Sequence, residues 1–348
     1  MDPLETVIII PAYKPDKKML HMLKELREAS FERLLVVDDG SGSEYGDLFE
    51  QAEALGCQVT RHEQNRGKGA AIKTAFQAAV SKWGEGISCI TADADGQHLT
   101  KDILAVAESL SREQDALVLG VRDFSGKEVP PRSRFGNRVT SVFFRLISGV
   151  ACPDTQTGLR GIPPGLLELA LSEEGERYEY EMNFLMDAVR KAPLCLIPIE
   201  TVYEEKNQSS HFRPVADSLR VYGRFVRFLL ASVTGAVVDC ILFGVFTILL
   251  LFARTETVIL ATILARICSG SVNFLMNKHF SFRSRMPMGR EIFRYLVLFI
   301  GQMAASAILV ALLERLLPVM GAKVIVDTVL FFLSFRIQKN WVFSGEER

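Results

Sequence analysis

The chain changes character near residue 212, and that break constrains its fold more than any other feature. Beyond it lie four apolar segments, at roughly 226–252, 257–276, 292–313 and 319–337. Each is close to the ~20 residues that a helix needs to cross a bilayer. The first and third are clear, whereas the fourth carries Lys323, Asp327 and Arg336. A buried helical bundle in a soluble protein is the alternative, and the hydropathy disfavours it. Loop charges set an orientation. Lys206, Arg213, Arg220, Arg224 and Arg227 precede the first segment, and Lys278, Arg283, Arg285, Arg290 and Arg294 separate the second from the third. The other two connections are short and nearly charge-balanced. The positive-inside rule then predicts a multi-pass protein of the cell (inner) membrane, with both termini cytoplasmic and the turns near Thr255 and Met320 outside.

The membrane half carries a repeat. Asn277-Lys278-His279-Phe280-Ser281-Phe282 ends the second segment and Gln338-Lys339-Asn340-Trp341-Val342-Phe343 the fourth. Arg227-Phe228 and Arg294-Tyr295 open the first and third in the same way. Interfacial anchoring explains each cluster singly; a duplicated two-helix unit explains their order.

Residues 1–205 alternate short β-rich runs with helical stretches. Strands are expected at 6–10, 33–37, 57–61, 87–92 and 116–121, with helices at 16–29, 45–55, 69–81 and 101–110. That alternation predicts an α/β domain with a mostly parallel, doubly wound sheet, whose ligands sit beyond the carboxyl ends of the strands. The expected organisation is an α/β domain over 1–212, a basic juxtamembrane helix over 213–227 and an all-α membrane domain of four transmembrane helices over 228–348. The formal net charge of −1 gives no global signal for nucleic acid. Six scattered cysteines, with no Cys-x-x-Cys pair, read as reduced structural thiols. No basic region precedes the first short apolar run, so no signal peptide is expected.

Polar signals fall at the strand ends. Pro11-Ala12-Tyr13 follows the first strand, Asp38-Asp39-Gly40-Ser41 the second and Asp93-Ala94-Asp95-Gly96-Gln97-His98 the fourth. Two carboxylates two residues apart make a hard oxygen site suited to Mg²⁺ or Mn²⁺, with Asp93, Asp95 and Gln97 as the candidate ligands. The other reading of Asp93 and Asp95 is a helix cap, for which Thr100 is better placed. Asp38-Asp39-Gly40-Ser41 is also an ordinary turn sequence. Arg122 ends the fifth strand, and Arg132, Arg134 and Arg138 follow. Phe135, Val139, Val142, Phe143, Leu146, Ile147 and Val150 then recur at helical spacing. This basic amphipathic helix suits a membrane interface, where guanidinium groups would meet an acceptor phosphate; packing on its own domain is the alternative. Tyr178-Glu179-Tyr180-Glu181 is a candidate base or orienter, or a solvated helix start. Lys206 and His211 are a candidate flap over donor phosphates, or a polar linker.

Taken in order, Ile8-Ile9-Ile10-Pro11-Ala12-Tyr13, Val36-Val37-Asp38-Asp39-Gly40-Ser41, Asn65-Arg66-Gly67-Lys68-Gly69 and Asp93-Ala94-Asp95-Gly96-Gln97-His98 resemble family 2 glycosyltransferases. The subgroup they are most similar to is the dolichyl- or polyprenyl-phosphate sugar synthases. Asp154-Thr155-Gln156-Thr157-Gly158-Leu159-Arg160 resembles their acceptor-side segment, and the four-helix half resembles the GtrA-like membrane domain. The resemblance implies a GT-A fold and inverting transfer of one sugar from a nucleotide donor to polyprenyl phosphate in the bilayer, for cell-envelope glycosylation. It implies Asp93, Asp95, Arg122 and Arg134 as catalytic residues. Pro11, Tyr13, Val37, Asp39, Lys68, Asp93 and Ala94 would bind the nucleotide. Arg122, Arg132, Arg134 and Arg138 would hold the acceptor phosphate. Gln338-Lys339-Asn340-Trp341 lacks the Arg of the processive synthases' Gln-x-x-Arg-Trp motif, which favours single-sugar transfer. A UDP-hexose donor is expected, with GDP-mannose open. A flippase role for the membrane half, for which Asp239, Arg266 and Asp327 would line a polar path, and a homo-oligomer also stay open.

Overall fold

The run Val7–Ala12 is too apolar to face water on either side, and it forms the centre of a sheet. In the computed structural model, which describes residues 3–124, 126, 129, 131–200, 223–252, 257–282, 284, 286–313 and 317–344, this strand (β1) pairs in parallel with β2 (Leu34–Asp38) and β4 (Cys89–Thr91). Alternate residues of β1 feed opposite cores. Val7 and Ile9 pack with Leu35, Val37 and the helix α3 (Lys68–Trp83) on one face. Ile8 and Ile10 pack with Val36, the helix α1 (Lys17–Glu28) and the helix α4 (Thr100–Arg112) on the other. Asp16 starts α1 by accepting the Lys18 N–H at 2.8 Å, which satisfies one of the donors orphaned at a helix N-terminus. The remaining early elements are the helix α2 (Gly46–Ala54) and the edge strand β3 (Gln58–Arg61).

The sheet runs β3-β2-β1-β4-β6-β5-β7, where β5 is Leu117–Arg122, β6 is Arg160–Ile162 and β7 is Leu194–Ile199. β6 is antiparallel to both β4 and β5 and is the one departure from parallel winding. Its insertion carries the chain from 155 to 160 back across the end of β4, where Thr91 Oγ1 donates to the Gly158 carbonyl at 2.8 Å. Helix α5 (Pro131–Ser148) precedes β6, and α6 (Leu167–Ser172) and α7 (Glu179–Ala188) follow it. In α5, Asn137, Thr140, Phe144 and Ile147 are buried, whereas Phe135 (71 % exposed), Val139, Val142 and Leu146 form an exposed apolar stripe one helix turn apart. Thr100 does not cap α4. Leu99 holds the cap position without a side-chain bond, and the Thr100 hydroxyl donates instead to Glu25 at 2.9 Å.

The chain splits into two compact units, Met1–Val221 and Tyr222–Arg348. The expected boundary at 212 and most of the expected juxtamembrane helix lie outside the described residues. The second unit holds α8 (Gly223–Phe252), α9 (Thr257–Met276), α10 (Met288–Leu313) and α11 (Val319–Ile337). By length and composition, two helical stretches among the described residues can cross a membrane, Phe225–Leu249 and Met288–Leu313. The unit buries a set of polar groups among its apolar contacts, while many large apolar side chains face outward. Asn277, Lys278, Ser281, Glu291 and Gln338 are buried, while Leu230, Val237, Ile241, Phe293, Ile300 and Ile308 are exposed. That arrangement suits lipid as solvent and is unstable in water.

The two helical hairpins, α8–α9 and α10–α11, meet through reciprocal contacts. Phe228 of α8 meets Phe335 of α11 edge-on at 5.0 Å, and Tyr295 of α10 meets Phe274 of α9 edge-on at 5.3 Å. Phe282 and Phe343, which close the two equivalent endings, stack on each other at 5.2 Å. Residue i touching j while the counterpart of j touches that of i is the signature of a two-fold axis, here within one chain. Both endings also share one backbone device. The Phe282 N–H donates to the Asn277 carbonyl and the Phe343 N–H to the Gln338 carbonyl, each at 2.9 Å across a π-turn. Asn273 joins the parts: its amide donates to the Ala231 carbonyl at 3.1 Å, and its oxygen accepts from Asn277 and from the Tyr295 hydroxyl, both at 2.9 Å. Asn273→Leu strands these groups in an apolar interior. It should lower the unfolding midpoint of the full chain in detergent by the equivalent of about 1–3 kcal/mol; an unchanged midpoint would remove Asn273 from that role.

Candidate active site

The site forms where β4 ends and the 155–160 segment crosses it. Asp93 lies two residues beyond β4, and its carboxylate presses against Gly158. A Cβ at Gly158 would sit 2.3 Å from Asp93 Oδ2, so only glycine leaves the carboxylate its place. Lys68, the first residue of α3, reaches across with Nζ 2.6 Å from Asp93 Oδ1 and 3.0 Å from Glu181 Oε2 of α7. His98 Nε2 lies 3.4 Å from Asp93 Oδ2. Asp95 folds over its own turn, accepting the Gln97 N–H at 3.0 Å. Among the described residues, buried His98 Nδ1 and Glu181 Oε1 of this cluster, and Thr155 Oγ1 in the segment before β6, have no partner. Orphaned groups of this kind mark a site built for something else to bind.

The charges are coupled. Burial works against the ionised form of Asp93, but Lys68 and His98 outweigh it and hold the carboxyl well below its ordinary range. Burial also opposes the Lys68 ammonium, and the Asp93 and Glu181 charges reverse that and raise its pKa. Asp95 moves the other way: burial, then the negative charge of Asp93, raise its pKa. One carboxylate is locked ionised and its neighbour resists ionisation, which a divalent cation would relieve. Among the described residues no three His, Cys, Asp or Glu side chains converge as a metal cage. Two carboxylates still suit Mg²⁺ or Mn²⁺, because Mg²⁺ commonly takes one or two carboxylates and draws its other ligands from substrate phosphates and water. The residues present therefore fit such an ion.

Other expected residues have different roles. Val37 is fully buried in the core against α3, so its side chain does not reach a nucleotide. Strand alternation next to Asp38 turns it inward. Asp39 is a turn brace. Its Oδ1 meets His62 Nδ1 at 2.7 Å and accepts the Arg66 N–H at 2.9 Å; its Oδ2 accepts the Gly67 N–H at 2.8 Å and Asn65 Nδ2 at 3.0 Å. A carboxylate has about four acceptor positions, and these four contacts occupy them. Gly40 permits this packing, with φ +70 and an ideal Cβ 2.3 Å from the Gln64 carbonyl carbon. Pro11, Tyr13 and Ala94 are each partly exposed at this end of the sheet.

Arg122 is engaged with Asp154, through Nε at 2.7 Å and Nη2 at 3.2 Å. Asp154 is fully buried, so this bidentate pair ties the end of β5 to the segment that leads into β6. Arg134 is exposed and donates to the Gly126 carbonyl at 2.6 Å, and Arg138 is exposed on the same helix. Among the described contacts none joins Arg134 or Arg138 to Asp93 or Asp95. Arg132 lies in α5, but its side chain, Lys206 and His211 fall outside the described residues. Sequence reasoning gave no role to His62, and named His98, Asp154 and Gly158 only as members of motifs without individual roles.

Residues 7–160 match glycosyl transferase family 2, and residues 220–343 match the GtrA/DPMS transmembrane domain. The UDP-N-acetylglucosamine–dolichyl-phosphate N-acetylglucosaminyltransferase of Methanococcus voltae is 30% identical over 218 residues, 57% of this chain and 86% of that protein. The dolichyl-phosphate beta-glucosyltransferase of Dictyostelium discoideum is 25% identical over 182 residues, 46% of this chain and 54% of that protein. Among solved structures, glucosyl-3-phosphoglycerate synthase from Mycobacterium tuberculosis, in complex with Mn²⁺, UDP-glucose and phosphoglyceric acid, covers 66% of this chain and 78% of its own, with a TM-score of 0.44 and 18% identity. The chain belongs to glycosyltransferase family 2 and carries a GtrA/DPMS membrane domain.

Two substitutions test the site. Gly158→Ala forces Asp93 aside and should lower activity at least about 10-fold with the protein still folded, read from initial rates and circular dichroism. Asp95→Asn should raise the melting temperature of the metal-free protein by roughly 1–3 °C at neutral pH. The sign follows from a raised carboxyl pKa, which destabilises the folded state once pH exceeds the unfolded value. The gain should therefore vanish at acid pH, and a lower melting temperature at neutral pH would contradict it.

Proposed function

We propose that this protein transfers one sugar from a nucleotide-diphosphate sugar to a membrane polyprenyl phosphate, with inversion and release of nucleoside diphosphate. The observation that carries this reading is the Asp93–Lys68–Glu181 cluster at the strand ends of a family 2 domain, on the same chain as a GtrA/DPMS domain. Two relatives named for dolichyl phosphate, one for N-acetylglucosamine and one for glucose, support the acceptor class and leave the sugar open. We read the donor as a UDP-hexose, with GDP-mannose the alternative.

Asp93 and Asp95, with Gln97 beside them, would hold Mg²⁺ or Mn²⁺, and when bound the ion neutralises the leaving diphosphate. Lys68 adds positive charge at the same place. Arg134 and Arg138, beside the exposed stripe of α5, are positioned for a phosphate at a lipid surface. No strong base is required, since a phosphate monoester is mostly dianionic at neutral pH, with a second pKa near ~6. Glu181, fixed on Lys68, then orients and does not deprotonate.

The membrane half is read as four spans, both termini cytoplasmic, that keep enzyme and lipid on one surface and raise the effective acceptor concentration. Its internal charges are paired. Asp239 accepts from Ser269 at 2.8 Å and faces Arg266, while Asp327 accepts from Ser306 at 3.0 Å and from Lys323 at 2.9 Å. Satisfied pairs favour helix packing over a polar path for lipid.

Membranes containing the full chain, given labelled nucleotide sugars and polyprenyl phosphate, should transfer label to the lipid fraction. Asp95→Asn or excess chelator should cut the rate at least about 100-fold, the scale of several kcal/mol of charge stabilisation. Near wild-type turnover in either case would refute the metal assignment. A cysteine at Thr255 should be labelled from the outer side alone, and labelling from the cytoplasmic side would overturn the topology.

A further inference from the structure

We propose that Lys68 acts as a gate on the cation site, closing it in the free protein and opening it when a nucleoside diphosphate arrives. The inference rests on the donor-site reading above and adds an order to it. Lys68 Nζ lies 2.6 Å from Asp93 Oδ1. A Mg²⁺ ion would bind that carboxylate at about 2.0–2.1 Å, which sets two positive charges within a few ångströms of each other, so the ammonium disfavours the ion. The same ammonium is held from its other side by Glu181 Oε2 at 3.0 Å. Two anions thus fix one lysine over one of the two carboxylates read as metal ligands.

The backbone makes this a side-chain gate. The Gly67 N–H is tied to Asp39 and the Ala70 N–H to the Glu176 carbonyl at 2.9 Å, so the start of α3 is anchored on both sides of Lys68. The four-carbon stem is the part free to pivot. The shortage of protein ligands points the same way. Without a third carboxylate, histidine or cysteine among the described residues, the ion must draw its remaining ligands from the diphosphate and water. The diphosphate also offers the ammonium a new anionic partner. Its arrival therefore does two things together: it pulls Lys68 from Asp93 and completes the ion's coordination. Glu181, with Oε1 unpartnered and buried, stays behind as the anchor to which Lys68 returns on product release. Ion and nucleotide then bind with positive coupling, each strengthening the other by the same factor. Without nucleotide the site holds a divalent ion only weakly.

The test reads Mn²⁺ binding, not turnover. Free Mn²⁺ is followed by electron paramagnetic resonance in titrations of the full chain in detergent, without nucleotide and with uridine or guanosine diphosphate. The wild type should bind Mn²⁺ weakly alone and at least about 10-fold more tightly with the nucleotide it accepts. Lys68→Met should bind Mn²⁺ about 10-fold more tightly than wild type without nucleotide, and the coupling should shrink toward one. Lys68→Arg keeps the positive charge and should keep the weak nucleotide-free binding. Lys68→Gln repeats the test should the Met variant misfold. Unchanged or weaker nucleotide-free binding in Lys68→Met and Lys68→Gln would overturn the gate. If Asp93→Asn still abolished Mn²⁺ binding in that case, the donor site would stand without it. Absence of Mn²⁺ binding in every variant, with either nucleotide, would overturn both.

Discussion

The contact between Asp93 and Lys68 is the interaction on which the rest of the first unit depends. Each group offsets the partial burial of the other's charge. Their meeting requires four elements to converge. β4 must end at Thr91 to deliver Asp93, and α3 must begin at Lys68. The turn Asn65-Arg66-Gly67, held by Asp39, sets where α3 begins. The antiparallel β6 brings Gly158 against Asp93 and sets Arg160 beneath the Thr155 and Thr157 carbonyls and the Glu181 carbonyl. Arg160 is almost fully buried yet pairs with backbone oxygens, so it ties the acceptor-side segment to α7 without adding a free charge to the cleft.

The second unit answers a different solvent by the same logic. Buried Asn277, Ser281 and the Lys278–Glu291 pair find partners within the unit, while much of its outer surface is apolar. The reciprocal aromatic contacts show two hairpins bound as a dimer within one chain. The duplicated order of Lys and aromatic residues in the sequence therefore has a structural reason beyond interfacial anchoring. Each ending supplies a π-turn and one ring of the stacked Phe282–Phe343 pair.

Much of this was legible in the residues. Apolar runs followed by carboxylates gave the parallel strands and the edge that carries the site, because buried parallel strands read as unbroken hydrophobic stretches. The four helices of the second unit lie close to where their hydropathy places them. Other features were hidden for identifiable reasons. β6 is only three residues long and opens with an arginine, so no periodicity announces it. The turn contacts of Asp39 depend on His62 and Gly67, and the ion pair of Arg122 on Asp154, none of them adjacent in sequence. Val37 adjoins the turn yet points to the core, since side chains alternate along a strand.

The central claim is that one glycosyl unit passes from a nucleotide to a phosphate monoester, with the positive charge around Asp93 receiving the departing diphosphate. Mass spectrometry of the lipid product and the released nucleotide tests this most directly. The account predicts polyprenyl phosphate heavier by a single glycosyl residue, together with nucleoside diphosphate in equal amount. A polyprenyl diphosphate-linked sugar with release of nucleoside monophosphate, or a lipid bearing a growing sugar chain, would contradict it.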